Sequence, residues 1–194
     1  MIKKLFTALL IAVSFLSYGQ FDGNTTQAEW VTEFDRLLYN DGNLSALQTR
    51  ANTDGGRQEY YYMYYHLQPL WEVWRITGDL KYLDIIIDAY YDVVSSAVPV
   101  GWNSSYLGWP VDPSYSSNGD YQNNGAVLYE SYGFRPFIST LRLMKDSPTL
   151  LGTSNGSLPG ATYQTNYDEM LAFMETHLWD KWYNKDLDEI YRVN

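Results

Sequence analysis

There is no cysteine anywhere in this chain, so no disulfide can staple it and no thiolate can hold a metal. Histidine is nearly absent as well. The two present, His66 and His177, show no His-Glu ligand spacing, which argues against a transition-metal site. Basic residues are scarce: 13 Lys and Arg stand against 23 Asp and Glu, for a net charge of −10. A chain this acidic repels nucleic acid and anionic membrane surfaces, although one local basic patch would suffice to hold an anionic sugar polymer. Strand-like alternation does not persist anywhere. No phosphate loop, dinucleotide fingerprint or serine nucleophile elbow occurs, and no cofactor is expected.

Long apolar runs are missing after the first twenty residues. Within those twenty, Lys3 and Lys4 precede an apolar run from Leu5 to Leu16, and Ser17-Tyr18-Gly19 puts small residues where a signal peptidase reads. Residues 1–19 therefore read as a secretory signal with cleavage after Gly19. The run is short for a bilayer span, and no later stretch suits one, so no membrane span is expected after signal removal. A secreted protein without cysteine points to a bacterial periplasm or exterior.

What the chain has in excess is aromatic surface: 17% of residues, with 19 tyrosines. The densest stretch is Glu59 to Asp79, EYYYMYYHLQPLWEVWRITGD. Its apolar and aromatic residues at 60, 63, 64, 67, 70, 71 and 74 follow the spacing of an amphipathic helix. The outer positions still carry Tyr rather than Lys or Glu, which implies enclosure by other helices. Enclosed tyrosines need hydrogen-bond partners or a wet cleft. Pro69 removes one backbone donor and should kink or restart this helix. A second Pro-broken aromatic helix runs from Val127 to Asp146. Setting Pro136 on Pro69 places Tyr132 on Tyr65, Arg142 on Arg75 and Asp146 on Asp79, the pattern of a repeated helical hairpin.

Around these two segments the chain reads as all-α. Ala28 to Tyr39 is a helix with Thr25 or Thr26 as cap. Asn43 to Arg57 reads as a loop. Gly78 suits a left-handed helix end and Asp79 a cap for the return helix Leu80 to Ser96. On that helix Leu83, Ile86, Ile87, Tyr90 and Val94 form the inner face, and Asp84, Asp88 and Asp92 a solvated one. Residues 97–122, with Pro99, Pro110 and Pro113 and the pair Trp102 and Trp109, read as an ordered lid or cleft wall holding at most a short ribbon. Tyr163 to Tyr183 is a further helix.

The phrase Leu70-Trp71-Glu72-Val73-Trp74-Arg75-Ile76-Thr77-Gly78-Asp79-Leu80-Lys81-Tyr82-Leu83 resembles a recurrent phrase of α/α-toroid carbohydrate enzymes, the six-hairpin glycosidase-like superfamily. There an inner helix ends in Thr-Gly-Asp and the outer helix opens with Tyr-Leu. The resemblance implies that residues 20–194 are repeated helical hairpins forming part of an (α/α) toroid. It further implies a carbohydrate-active protein that cleaves glycosidic bonds in a polysaccharide or oligosaccharide as a hydrolase or lyase. A complete toroid resembling those enzymes would be about twice as long. The rival expectation is a non-enzymatic glycan-binding or scaffold protein of the cell envelope.

Hydrolysis needs two carboxyl groups flanking the bond. Glu130, set among Tyr129, Ser131 and Tyr132, is the best-placed general acid, with a hydrogen-bonded structural role as its alternative. Elimination needs a base such as Tyr or His and a group that stabilises the negative charge formed beside the carboxylate. His66 with Tyr62 or Tyr65 supplies the first type; Asn123 or Asn124, and Arg135, supply the second. Tyr62, Trp102, Trp109 and Tyr132 complete the expected sugar-binding wall of a cleft between the two aromatic helices and the loop.

Overall fold

The computed structural model describes residues 25–52, 57–109, 127–156 and 158–184, which are mostly helical. The chain divides after Gly42 into two compact units. In the first, helix α1 spans Gln27–Tyr39. Thr26 and Glu29 close its start reciprocally: the Glu29 N–H donates to the Thr26 hydroxyl at 3.3 Å, and the Thr26 N–H donates to the Glu29 carboxylate at 2.7 Å. This is a capping box, worth about 1 kcal/mol. Arg36 in the last turn reaches both Glu33 and Asp41, at 2.8 and 3.1 Å. The leader-like residues 1–19 lie outside the described residues.

The second unit opens with a helix where a loop is expected. Helix α2, Asn43–Ala51, buries Leu47 and Ala51 completely. Its polar composition hides a short stripe of small and apolar residues, which is enough once a neighbour covers it. Helix α3, Arg57–Thr77, is continuous through Pro69. It buries Tyr60, Met63, Leu67, Leu70 and Trp74, so the expected stripe is the observed one, narrowed at Tyr64 and Trp71.

The turn out of α3 behaves as its residues require. Gly78 takes φ +69°, a region in which only glycine is unstrained. Its N–H donates to the Trp74 carbonyl at 2.8 Å, and the Asp79 carboxylate accepts from the Lys81 N–H at 3.1 Å. Helix α4 then runs Leu80–Ser95 and buries Leu83, Ile86, Ile87, Tyr90 and Val93, the last in place of Val94. Its acidic stripe is not simply solvated. Asp84 accepts from the Tyr163 hydroxyl at 2.5 Å and Asp92 from the Asn52 amide at 2.8 Å, while Asp88 is exposed.

Strands β1 (Val98–Val100) and β2 (Asn103–Gly108) form an antiparallel ribbon with a bulge after Pro99. Helix α5 covers Val127–Lys145, again continuous through its internal proline, Pro136. It packs on α3 more extensively than any other pair of elements does. The approach is close at Gly133, where an added Cβ would lie 3.0 Å from both the carbonyl oxygen and the Cβ of Tyr60. A short helix α6, Pro148–Leu151, leads to α7, Tyr163–Met174, capped by the Thr162 hydroxyl. The helix continues through a widened π segment, Glu175–Asp180, and on to residue 184. Between α6 and α7 the Asn155 side-chain Nδ2 donates to Oδ1 of Asn166 at 2.6 Å, deep in the unit.

Phe134, Phe137, Leu141 and Met144 of α5 join Met170 and Met174 of α7 and the α3 and α4 stripes in one core. Each such side chain contributes about 1.5–3 kcal/mol by leaving water. Trp109, expected to line a cleft, belongs to this core. It is 2% exposed, its ring centroid lies 5.1 Å from both Tyr60 and Phe134, and its indole N–H donates to the Val93 carbonyl at 3.0 Å. The indole found a backbone acceptor, and once that bond formed the ring cost less inside than out.

Candidate functional site

The tyrosines of α3 that do not enter the core gather on its outer side with one from α5. The rings of Tyr61 and Tyr132 are stacked, with centroids 4.6 Å apart and planes 19° from parallel. Tyr64 lies 4.5 Å from the same Tyr132 ring, tilted by 50°. Tyr65 stands edge-on to Tyr61 and Tyr64, at 5.8 and 5.6 Å, and its hydroxyl donates to that of Tyr61 at 3.3 Å. Tyr62 extends the group, edge-on to Tyr61 at 5.9 Å. The two outermost rings are open to solvent, Tyr65 at 54% and Tyr62 at 39%. The face arises because α3 carries tyrosine on both its inner and outer sides, and because Gly133 lets α5 approach closely enough for Tyr132 to reach across.

One edge of this face is charged. The Arg50 guanidinium of α2 pairs with Glu59 and lies 5.1 Å from the Tyr62 ring centre, a cation–π distance. His66 is half-buried, and burial together with the positive charge of Arg50 holds its pKa below the ordinary value. It is therefore a neutral imidazole at physiological pH. Tyr65 behaves in the opposite sense. Its hydrogen bond to Tyr61, with partial desolvation and the nearby Tyr132, pushes its hydroxyl up to about 12. A phenol so hard to ionise stacks and hydrogen-bonds rather than acting as a base near neutrality.

Glu130 departs from expectation. It does not face Tyr132 but is buried at 2% exposure, with its carboxylate 2.7 Å from the ammonium of Lys181 and accepting from the Trp182 indole N–H at 2.7 Å. Lys181 is completely buried and also donates to the Leu107 carbonyl at 2.9 Å. Gly108 closes the node from above, where an added Cβ would meet Val100 Cγ1 at 2.9 Å. A carboxylate enclosed in this way exposes almost no surface to a leaving-group oxygen, which matches the hydrogen-bonded structural alternative given for it from the sequence. Lys181 was not singled out from the sequence. The signal was there: it falls seven residues after Met174 on the buried stripe, where a lone cation demands a buried anion.

The remaining expected residues separate. Trp102 is half-buried at the tip of the β ribbon, 5.4 Å from the Tyr106 ring, and no partner for its indole nitrogen is found among the described residues. Arg135 is exposed on α5 between Tyr132 and Ile138. Asn123 and Asn124 lie outside the described residues. Thus Tyr62, Tyr65, His66 and Tyr132 come together, while Trp102, Trp109 and Glu130 do not join them.

A separate groove of about 720 Å³ lies between α5 and the last helix, walled by Phe134 and Ile138 on one side and by Met174, Leu178, Trp179 and Tyr183 on the other. Among the described residues, no group of three or more His, Asp or Glu side chains is placed to hold a metal, and no helix is long and apolar enough to cross a membrane. No protein-family model matches the chain, and neither a curated protein nor a solved structure is significantly similar to it.

Proposed function

We propose that this chain is a secreted carbohydrate-active protein of the bacterial cell envelope that holds a polysaccharide or oligosaccharide on the tyrosine face of α3 and α5. The observation that carries this reading is the Tyr61–Tyr132 stack flanked by the exposed rings of Tyr62 and Tyr65. Sugar rings present apolar C–H faces that stack on such rings, and tyrosine hydroxyls bind the polar edges. Contiguous aromatic surface left open to water marks interaction sites. The Leu70–Leu83 phrase, with its Gly78 turn and Asp79 cap, supports an α/α-hairpin unit of toroid type, and the leader-like residues 1–19 support export.

Binding without cleavage is the reading best supported, because the candidate acid Glu130 is sealed in an ion pair. Eliminative cleavage is second, favoured by one observation: His66 is a neutral base beside the Arg50 cation. The test is affinity electrophoresis against neutral and uronic polysaccharides. Retardation by at least one polymer, lost in Tyr65→Ala and Tyr132→Ala, is the expected result. No retardation by any polymer would remove the proposal. An unsaturated, ultraviolet-absorbing product lost in His66→Gln would move the assignment to the lyase.

A further inference from the structure

The groove between α5 and the last helix is rimmed by large apolar side chains left in water: Trp179 is 72% exposed, Tyr183 58% and Ile138 53%. We propose that this groove is the face through which two copies of the chain associate about a two-fold axis, the α5 wall of each lying against the last-helix wall of the other.

Charge selects that occupant. On the α5 wall the exposed residues on either side of Ile138 are Arg135 and Arg142, both cations. On the opposite wall the exposed charged residues nearest Trp179 in sequence are Glu175, which lines the groove, and Asp180, both anions. A partner of one charge sign would match one wall and be repelled by the other. A second copy offers both signs in the required order when the two-fold axis runs along the groove, because that rotation sets each wall against its opposite. The same symmetry demands that projection and hollow share one face, and here Trp179 projects at the rim of the groove. The pairing also answers a difficulty of composition. Two chains of net charge −10 repel each other in general, so association needs a region where opposite charges meet locally.

The experiment is sedimentation velocity over a wide concentration range, with circular dichroism of each variant to confirm folding. The wild type is expected to reach twice the chain mass and to dissociate as salt rises. Ile138→Asp and Trp179→Asp, at exposed positions, are expected to weaken association at least about tenfold, since each puts an unpaired charge at the centre of the contact. Reversal of one wall alone, as Arg135→Glu with Arg142→Glu or as Glu175→Lys with Asp180→Lys, is expected to give monomers. Equimolar mixing of those two proteins is expected to restore a dimer, because each then supplies the wall the other lacks. A wild type that stays monomeric throughout would overturn the proposal. So would a dimer indifferent to these substitutions, or folded charge-reversed proteins that fail to pair on mixing.

Discussion

The backbone N–H of Leu107 donates to Nδ1 of His177 at 3.1 Å, and four residues further along the same helix Lys181 donates to the carbonyl of that same leucine at 2.9 Å. The last helix thus grips both polar groups of one β2 residue, as a neighbouring strand would. The grip holds only while Nδ1 is unprotonated. Burial, and then the charge of Lys181, lower the His177 pKa below its ordinary 6.5. The unfolded chain therefore takes up the proton first, and stability falls as pH drops from about 6.5 through the lowered value. His66, also lowered, acts in the same direction. Asp84 and Asp88, raised chiefly by burial, act oppositely at lower pH, where protonation favours the folded chain. Thermal denaturation between pH 7.5 and pH 5.5, the range set by the ordinary histidine value, should show a declining midpoint. His177→Gln keeps an acceptor without a titrating group, so it should cost at most about 1 kcal/mol at the upper end and flatten the decline.

Gly133→Ala sets two effects against each other. Alanine is the better helix former by about 1 kcal/mol. Its methyl, however, would lie 3.0 Å from the Tyr60 carbonyl oxygen and Cβ, and backbone cannot swing aside as a side-chain tip can. Sterics should win, with a net loss of about 1–3 kcal/mol in chemical denaturation. The same substitution should also disturb the Tyr61–Tyr132 stack, because Tyr132 depends on that close approach.

The Glu130–Lys181 pair should behave as a buried unit. Glu130→Gln or Lys181→Met alone leaves a charge without its counterpart in the core and should cost about 3–5 kcal/mol. The double substitution should cost clearly less than the sum of the two, and a double-mutant cycle in urea measures that difference. A strictly additive cycle would mean that the two groups do not stabilise each other.

Tyrosines on the two sides of α3 should separate cleanly. Tyr60→Ala empties a fully buried site and should cost about 3–5 kcal/mol. Tyr62→Ala and Tyr65→Ala lie at 39% and 54% exposure and should stay within about 1 kcal/mol of wild type, while weakening glycan retardation. Parallel denaturation and affinity electrophoresis read both quantities on the same samples.

The helices of this chain were legible because their inward stripes are strongly periodic and their ends carry distinct signals. The Thr77-Gly78-Asp79 turn and the Thr26 cap are local chemistry, and local chemistry survives folding unchanged. Helix α2 was not legible, since Leu47 and Ala51 make a stripe too short to register without the neighbour that covers it. The candidate site divided along the same line. Tyr62, Tyr65 and Tyr132 were readable as members of one aromatic group, but the enclosure expected of the outer tyrosines was not met, since Tyr65 and Tyr62 stand open to solvent. Trp109 and Glu130 were not legible, because their fate depends on Val93, Lys181 and Trp182, partners distant in sequence. A tryptophan beside a proline gives no sign of which side of a wall it will occupy.

The prolines inside α3 and α5 have a further effect on the tyrosine face. Pro69 has no N–H to offer the oxygen four residues behind it, which belongs to Tyr65, and Pro136 likewise fails the oxygen of Tyr132. Each ladder therefore lacks one rung at a residue whose ring forms part of that face. The bond four residues on that helices normally make is missing at these two positions, one on each helix that contributes to the face.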